Sequence, residues 1–158
     1  MGVLTTLHLS NLIRSSKART NLPAKIEISP SLPKVKGVQS QTTIEGSLSY
    51  PSEGIPDEMT ICAQNIETGK KYCTQKHLNS QKYLYGVGYR LIVAPGNYQI
   101  YSYLPTSAPL DYQGYKAYYS KAVTCGLTVK CTNHTPITVS VIAGQRLQNI
   151  DPIDWYNF

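Results

Sequence analysis

"MTICAQNIETGKKYC", residues 59–73, sets Cys62 and Cys73 on either side of a turn-forming ETGK and governs the interpretation of the whole chain. Met59, Ile61 and Ala63 alternate with Thr60, Cys62 and Gln64, the period of two of a strand with one apolar and one polar face. Gly69 is free to take the positive φ that closes a short hairpin loop. With Glu67, Thr68 and Gly69 as the loop, Ile66 faces Lys70, and Cys62 falls within about one position of Cys73. Cys73 shares a face with Lys71 and Gln75, so both thiols lie on the polar side of their strands. Neighbouring strands bring such residues to the Cβ separation of roughly 3.5–4.5 Å that a disulfide requires.

The second pair is Cys125 and Cys131, in VTCGLTVKC. Four cysteines allow three connectivities, and pairing 62 with 73 and 125 with 131 closes two hairpin-sized loops. Each closure contributes on the order of 3 kcal/mol. Four reduced cysteines and a zinc site are the competing readings. Spacings of ten and five intervening residues lack the tight arrangement of zinc ligands, and neither His77 nor His134 stands at a ligand-like distance from either pair. No metal and no cofactor is therefore expected. Disulfides imply an oxidising compartment, which places the chain outside the cell, in a periplasm or at the cell surface.

Outward from this hairpin the period of two persists. TTIEGSLSY puts Ile44, Gly46, Leu48 and Tyr50 on alternate positions, and TPITVSVIAGQ alternates Ile137, Val139 and Val141 with polar residues before a glycine turn. YRLIVAPGNYQIYSYL, residues 89–104, has the form of a hairpin, with Leu91 and Val93 entering and Tyr98 and Ile100 returning around APGN. Seven to nine short strands at turn-separated intervals predict two packed sheets, an all-β, Ig-like antiparallel sandwich. A chain of 158 residues suits one such domain, over 41–158, preceded by an arm over 1–40.

The arm carries six basic side chains against Glu27, whereas residues 41–158 hold nine basic and eight acidic ones. The formal charge of +6 is thus mainly a property of the arm. No basic stripe interleaved with aromatics accompanies it, so nucleic acid is not expected as a partner. No run approaches the length of a membrane span, and no transmembrane segment is expected. Pro23 and Pro30 bracket AKIEIS, where Ile26 and Ile28 alternate with charged residues as in a short edge strand. Such a strand has the means to extend a neighbour's sheet, which makes the arm the expected assembly element; closure of its own domain's edge and an unordered arm are the competing readings.

GSLSY, ICAQNIETGKKYCT, YRLIVAPGNYQIYSYLP and ITVSVIAGQRLQNIDPIDWY together resemble the carboxypeptidase regulatory-like, transthyretin-like β-sandwich domain over about residues 41–151. Gly46, Asn65, Thr68, Gly69, Val93, Pro95, Gly96, Tyr98 and Gly144 hold the places of that pattern. The resemblance implies an accessory, stabilising or adhesive module of an exported or surface protein. The family's enzymatic relative, a hydroxyisourate hydrolase, ends in a tyrosine-arginine-glycine-serine signature. This chain ends in DPIDWYNF instead, so that activity does not carry over.

The residues themselves also argue against an enzyme. General acid/base work needs titratable groups held together in one cleft, and the eight carboxylates from Glu45 to Asp154 are expected mostly in turns. A thiolate at Cys125 with His134 as base is precluded by the expected disulfide. What remains is tyrosine. Ten of thirteen lie between Tyr83 and Tyr119; they either do the core and capping work of the nearly absent Phe or, with several turned outward, make Tyr83, Tyr85, Tyr101 and Tyr103 the candidate platform for a protein or a glycan. The expected function is a non-catalytic structural subunit at the cell surface, a homo-oligomer or part of a larger assembly joined through arm and tyrosines. A monomeric adhesive module is the alternative, and a small hydrolase the third.

Overall fold

A computed structural model describes residues 40–52, 54–105 and 114–157. The expected assembly strand, with Ile26 and Ile28, lies outside the described residues. Those described form strands β1 (Thr43–Ser47), β2 (Thr60–Asn65), β3 (Lys71–Thr74), β4 (Leu78–Asn79), β5 (Val87–Ile92), β6 (Gly96–Tyr103) and β7 (Lys116–Tyr118). Helix α1 (Lys121–Cys125) and strands β8 (Thr138–Val141) and β9 (Arg146–Leu147) follow. One sheet has the order β4-β5-β1-β9; the other runs β3-β2-β6-β7, with β8 also paired to β6. All pairs are antiparallel except β1 with β9. The chain is an all-β sandwich, as its alternation predicts.

The β2–β3 hairpin differs from expectation by one residue. Asn65, not Ile66, faces Lys70, and a four-residue loop separates them. The cause is Asn65, whose Oδ1 accepts the backbone N–H groups of Glu67 at 3.0 Å and Thr68 at 2.8 Å, and the Thr68 hydroxyl at 2.9 Å. Gly69 closes the turn with φ +69°. That register puts Cys62 directly opposite Cys73, at a Cα separation of 4.2 Å, and the two are joined. Cys125 and Cys131 form the second disulfide, and no free cysteine remains.

Residues 89–104 are not a hairpin. β5 pairs with β1 and β4, whereas β6 pairs with β2, β7 and β8, so residues 93–95 carry the chain from one sheet to the other. Val93 and Tyr98 both point into the core from opposite layers, and the Tyr98 hydroxyl donates to Ala94 O at 2.8 Å to hold the corner. Nor do residues 121–125 continue as a strand. Ser120 caps a helix by accepting from Val123 N, and Gly126, at φ +104°, ends it.

The core lies between the layers: Ile44, Leu48, Tyr89 and Leu91 from one sheet meet Met59, Ile61, Ile100 and Val139 from the other. Through this interior runs the C-terminal segment, residues 150–155. Ile150 N donates to Glu45 O at 3.1 Å, the Tyr89 hydroxyl donates to Ile150 O at 2.7 Å, and Ser47 N donates to the Asp151 carboxylate at 2.6 Å. On the other layer the Ser102 hydroxyl donates to Pro152 O at 2.7 Å, and Asp154 N to Tyr118 O. The segment is a strap tying the two sheets together. It fits because residue 46 is glycine: a Cβ there would stand 1.9 Å from Ile150 O. Gly46→Ala therefore has to displace the strap, and we expect a loss of about 2–3 kcal/mol in urea unfolding, near the upper end for overpacking. An unchanged midpoint would show that β1 does not seat the strap.

Candidate functional site

Glu45 stands in the middle of β1, within the alternating stretch TTIEGSLSY, and is 6% exposed. It faces away from the core, directly opposite Arg90 on β5. The Arg90 guanidinium lies 2.8 Å from Oε2, the Tyr83 hydroxyl donates to Oε1 at 3.0 Å, and the Lys82 ammonium pairs with the same oxygen. Burial by itself pushes the carboxyl pKa up, but the hydrogen bonds from Lys82, Arg90 and Tyr83 outweigh it and hold the group below its ordinary value. The Tyr83 ring lies across Gly88, where a Cβ would come within 2.3 Å of it. Leu84 N donates to the Ser47 hydroxyl, and Ser80 N to Gly86 O. Glu45 thus fastens residues 80–86 to the outer face of the first sheet.

That loop and the strap border a hollow of about 590 Å³ at one end of the sandwich. Trp155 forms its buried wall, edge-on to Tyr50 at 5.2 Å between centroids, with the indole N–H donating to Ser49 O at 2.8 Å. Tyr85 and Tyr156 stand on the rim, 64% and 53% exposed. Leu127, held at φ +51° just past α1, completes it. Leu127 and Tyr156 also border an adjoining hollow of about 310 Å³, lined further by Val129 and His134.

Beside this second hollow, Asp154 is fully buried. The Ser120 hydroxyl donates to its Oδ2 at 2.5 Å, and His134 Nδ1 lies 3.0 and 2.9 Å from its two oxygens. Serine, histidine and aspartate are the residue types of a hydrolytic triad, but here the carboxylate sits between the other two. Ser120 donates its hydroxyl hydrogen bond to Asp154 and caps α1, and His134 faces the carboxylate, so this imidazole is not placed to activate the serine. The cluster anchors the disulfide-closed excursion 120–136 to the strap.

The four tyrosines singled out from the sequence occupy three separate places. Tyr83 is buried on Glu45, and Tyr85 borders the end groove. Tyr101 is buried beside Cys62 on the outer face of the second sheet, 5.9 Å from the half-buried Tyr103, with the Lys116 ammonium 4.5 Å above its ring. Sequence reasoning missed Tyr50, Trp155, Tyr156, His134 and Asp154 as neighbours. The adjacent aromatics in IDWYNF were the available signal, but an irregular tail has no period to reveal its packing. No family model, curated protein or solved structure matches the chain.

Replacing Glu45 by Gln should cost about 1–2 kcal/mol at neutral pH, because its half-exposed partners regain water. A carboxyl held low in the folded state stabilises fully above its unfolded value and loses that contribution as pH falls through the folded value. The gap in melting temperature between the two proteins should therefore stay constant from pH 7 down to about pH 5 and narrow as the pH falls further, below the ordinary carboxylate value. A gap that stayed constant at the lower pH as well would mean that the charge on Glu45 is immaterial.

Proposed function

We propose that the chain is a non-catalytic recognition module of an extracellular or cell-surface protein, and that the end groove is where it binds. The observation that carries this is the groove itself: a buried Trp155 wall between two rim tyrosines, each presented by a segment pinned elsewhere. Rigid aromatic rings with hydroxyl tips supply contact area at low entropic cost. Two disulfides support an oxidising compartment, and no described helix is long and apolar enough to cross a membrane. The resemblance to carboxypeptidase regulatory-like domains supports the same accessory role.

A second reading, a self-assembling subunit, is favoured by the edge of the second sheet. Among the described strands β8 pairs with β6 alone, and Ile142 just beyond it is exposed. A strand from another copy, such as residues 24–29, has an edge there to extend. Sedimentation of the intact chain should give a monomer if recognition is the main role and a concentration-dependent assembly if subunit formation is. On arrays of purified surface glycans and proteins the labelled chain should bind, and the Tyr85→Ser, Tyr156→Ser double variant should lose that signal. Full retention by the double variant would move recognition away from the groove.

A further inference from the structure

We infer that the end groove is a site for a neutral oligosaccharide, with Tyr85 and Tyr156 as stacking faces and His134 Nε2 as its hydrogen-bonding end; this rests on the recognition role proposed above and names its ligand class. Three observations converge. Among the described residues, neither hollow is lined by a lysine, arginine, aspartate or glutamate. A charged ligand would meet no fixed counter-charge among the described lining residues, whereas an uncharged polyol gives up less hydration on entering. The two hollows share Leu127 and Tyr156 and together offer room for more than one sugar ring, within the range of small-ligand pockets.

The second observation is the rims. A pyranose has an apolar C–H face that lies flat on an aromatic ring and an equatorial belt of hydroxyls. Tyr85 and Tyr156 are the exposed aromatics of this groove, and the backbone that carries each is held before any ligand arrives. The Glu45 clamp fixes the loop that carries Tyr85, and Tyr156 N donates to Asp154 Oδ1 at 3.3 Å. A backbone fixed beforehand lowers the entropy lost on binding.

The third is His134. Asp154 takes the Nδ1 side of the imidazole, which leaves Nε2 for a ligand. Neutral imidazole accepts at Nε2 and protonated imidazole donates there. A carboxylate pairs only with the protonated ring, and an ammonium only with the neutral one. A sugar hydroxyl is donor and acceptor at once and pairs with either, so it suits this end of the groove at any protonation state.

The test is titration of the intact, disulfide-bonded chain with maltotriose, cellotriose, mannotriose and chitotriose, followed by NMR and calorimetry, with an uncharged proline-rich peptide as comparator. At least one trisaccharide should shift the ring signals of Tyr85 and Tyr156 and the Nε2 resonance of His134. Tyr85→Ala and Tyr156→Ala should each weaken that binding about tenfold, with unchanged melting temperature. His134→Phe should also weaken it, since it keeps an aromatic ring and removes the nitrogen. Groove signals that move for the peptide and for no sugar would overturn the ligand class while leaving recognition standing. Signals that move for neither, or sugar affinity unchanged in the variants, would overturn the site itself, and with it the role proposed for the groove.

Discussion

Hydrogen bonds from residues 150–155 to both layers are the constraint on which the rest of this sandwich depends. Two sheets packed face to face bury their apolar surfaces, but strand-edge backbone groups beyond the paired registers and hydroxyls turned inward still need partners. The strap supplies them. Ile150 and Asp151 satisfy β1 and Tyr89 on one side, while Pro152 and Asp154 satisfy Ser102 and β7 on the other. Tyr89 is wholly buried, and that burial pushes its phenol well above the usual pKa, so it remains a neutral donor to Ile150 O. The missing side chain at Gly46 admits the strap, and Trp155 then closes the end of the core.

From this arrangement the groove follows. Its wall is the strap's own Trp155, and one rim, Tyr156, is the next residue along. The opposite rim depends on a different device, a buried carboxylate. Glu45 converts three donors from residues 82, 83 and 90 into one anchorage, and the loop that bears Tyr85 is held by it. Such a carboxylate would be costly if any partner were missing, which explains why three converge on it. Ser120 and His134 stand in the same relation to Asp154 on the other side of the groove. Two buried carboxylates, each fully partnered, therefore position the surface that solvent reaches.

Alternation along the chain carried most of the fold. Met59, Ile61 and Ala63 face the core, and Cys62 meets Cys73, because a period of two is a local consequence of backbone pleating. Where interpretation failed, the missing information was which partner a strand takes. Residues 89–104 alternate equally well whether they fold back as a hairpin or cross from one sheet to the other, since both arrangements bury Val93 and Tyr98. The tyrosines stayed open between packing and display for a related reason: parity says that Tyr101 leaves the core, not whether something else covers it, and the irregular stretch around Tyr83 has no parity to read.

By itself the sequence determined that the chain is all-β, that its four cysteines pair locally, and roughly where the strands begin and end. These follow from interactions between residues close along the chain, which spacing and turn chemistry express directly. Tertiary structure alone decided that residues 150–155 tie the sheets together, that Glu45 and Asp154 are buried anchors, and that Tyr50, Tyr85, Trp155 and Tyr156 share one groove. Ser49 and Trp155 are separated by 106 positions, and Ser47 and Asp151 by 104. No local period encodes a contact over such a distance; it arises only when the layers close and each buried polar group finds the partner that water no longer provides.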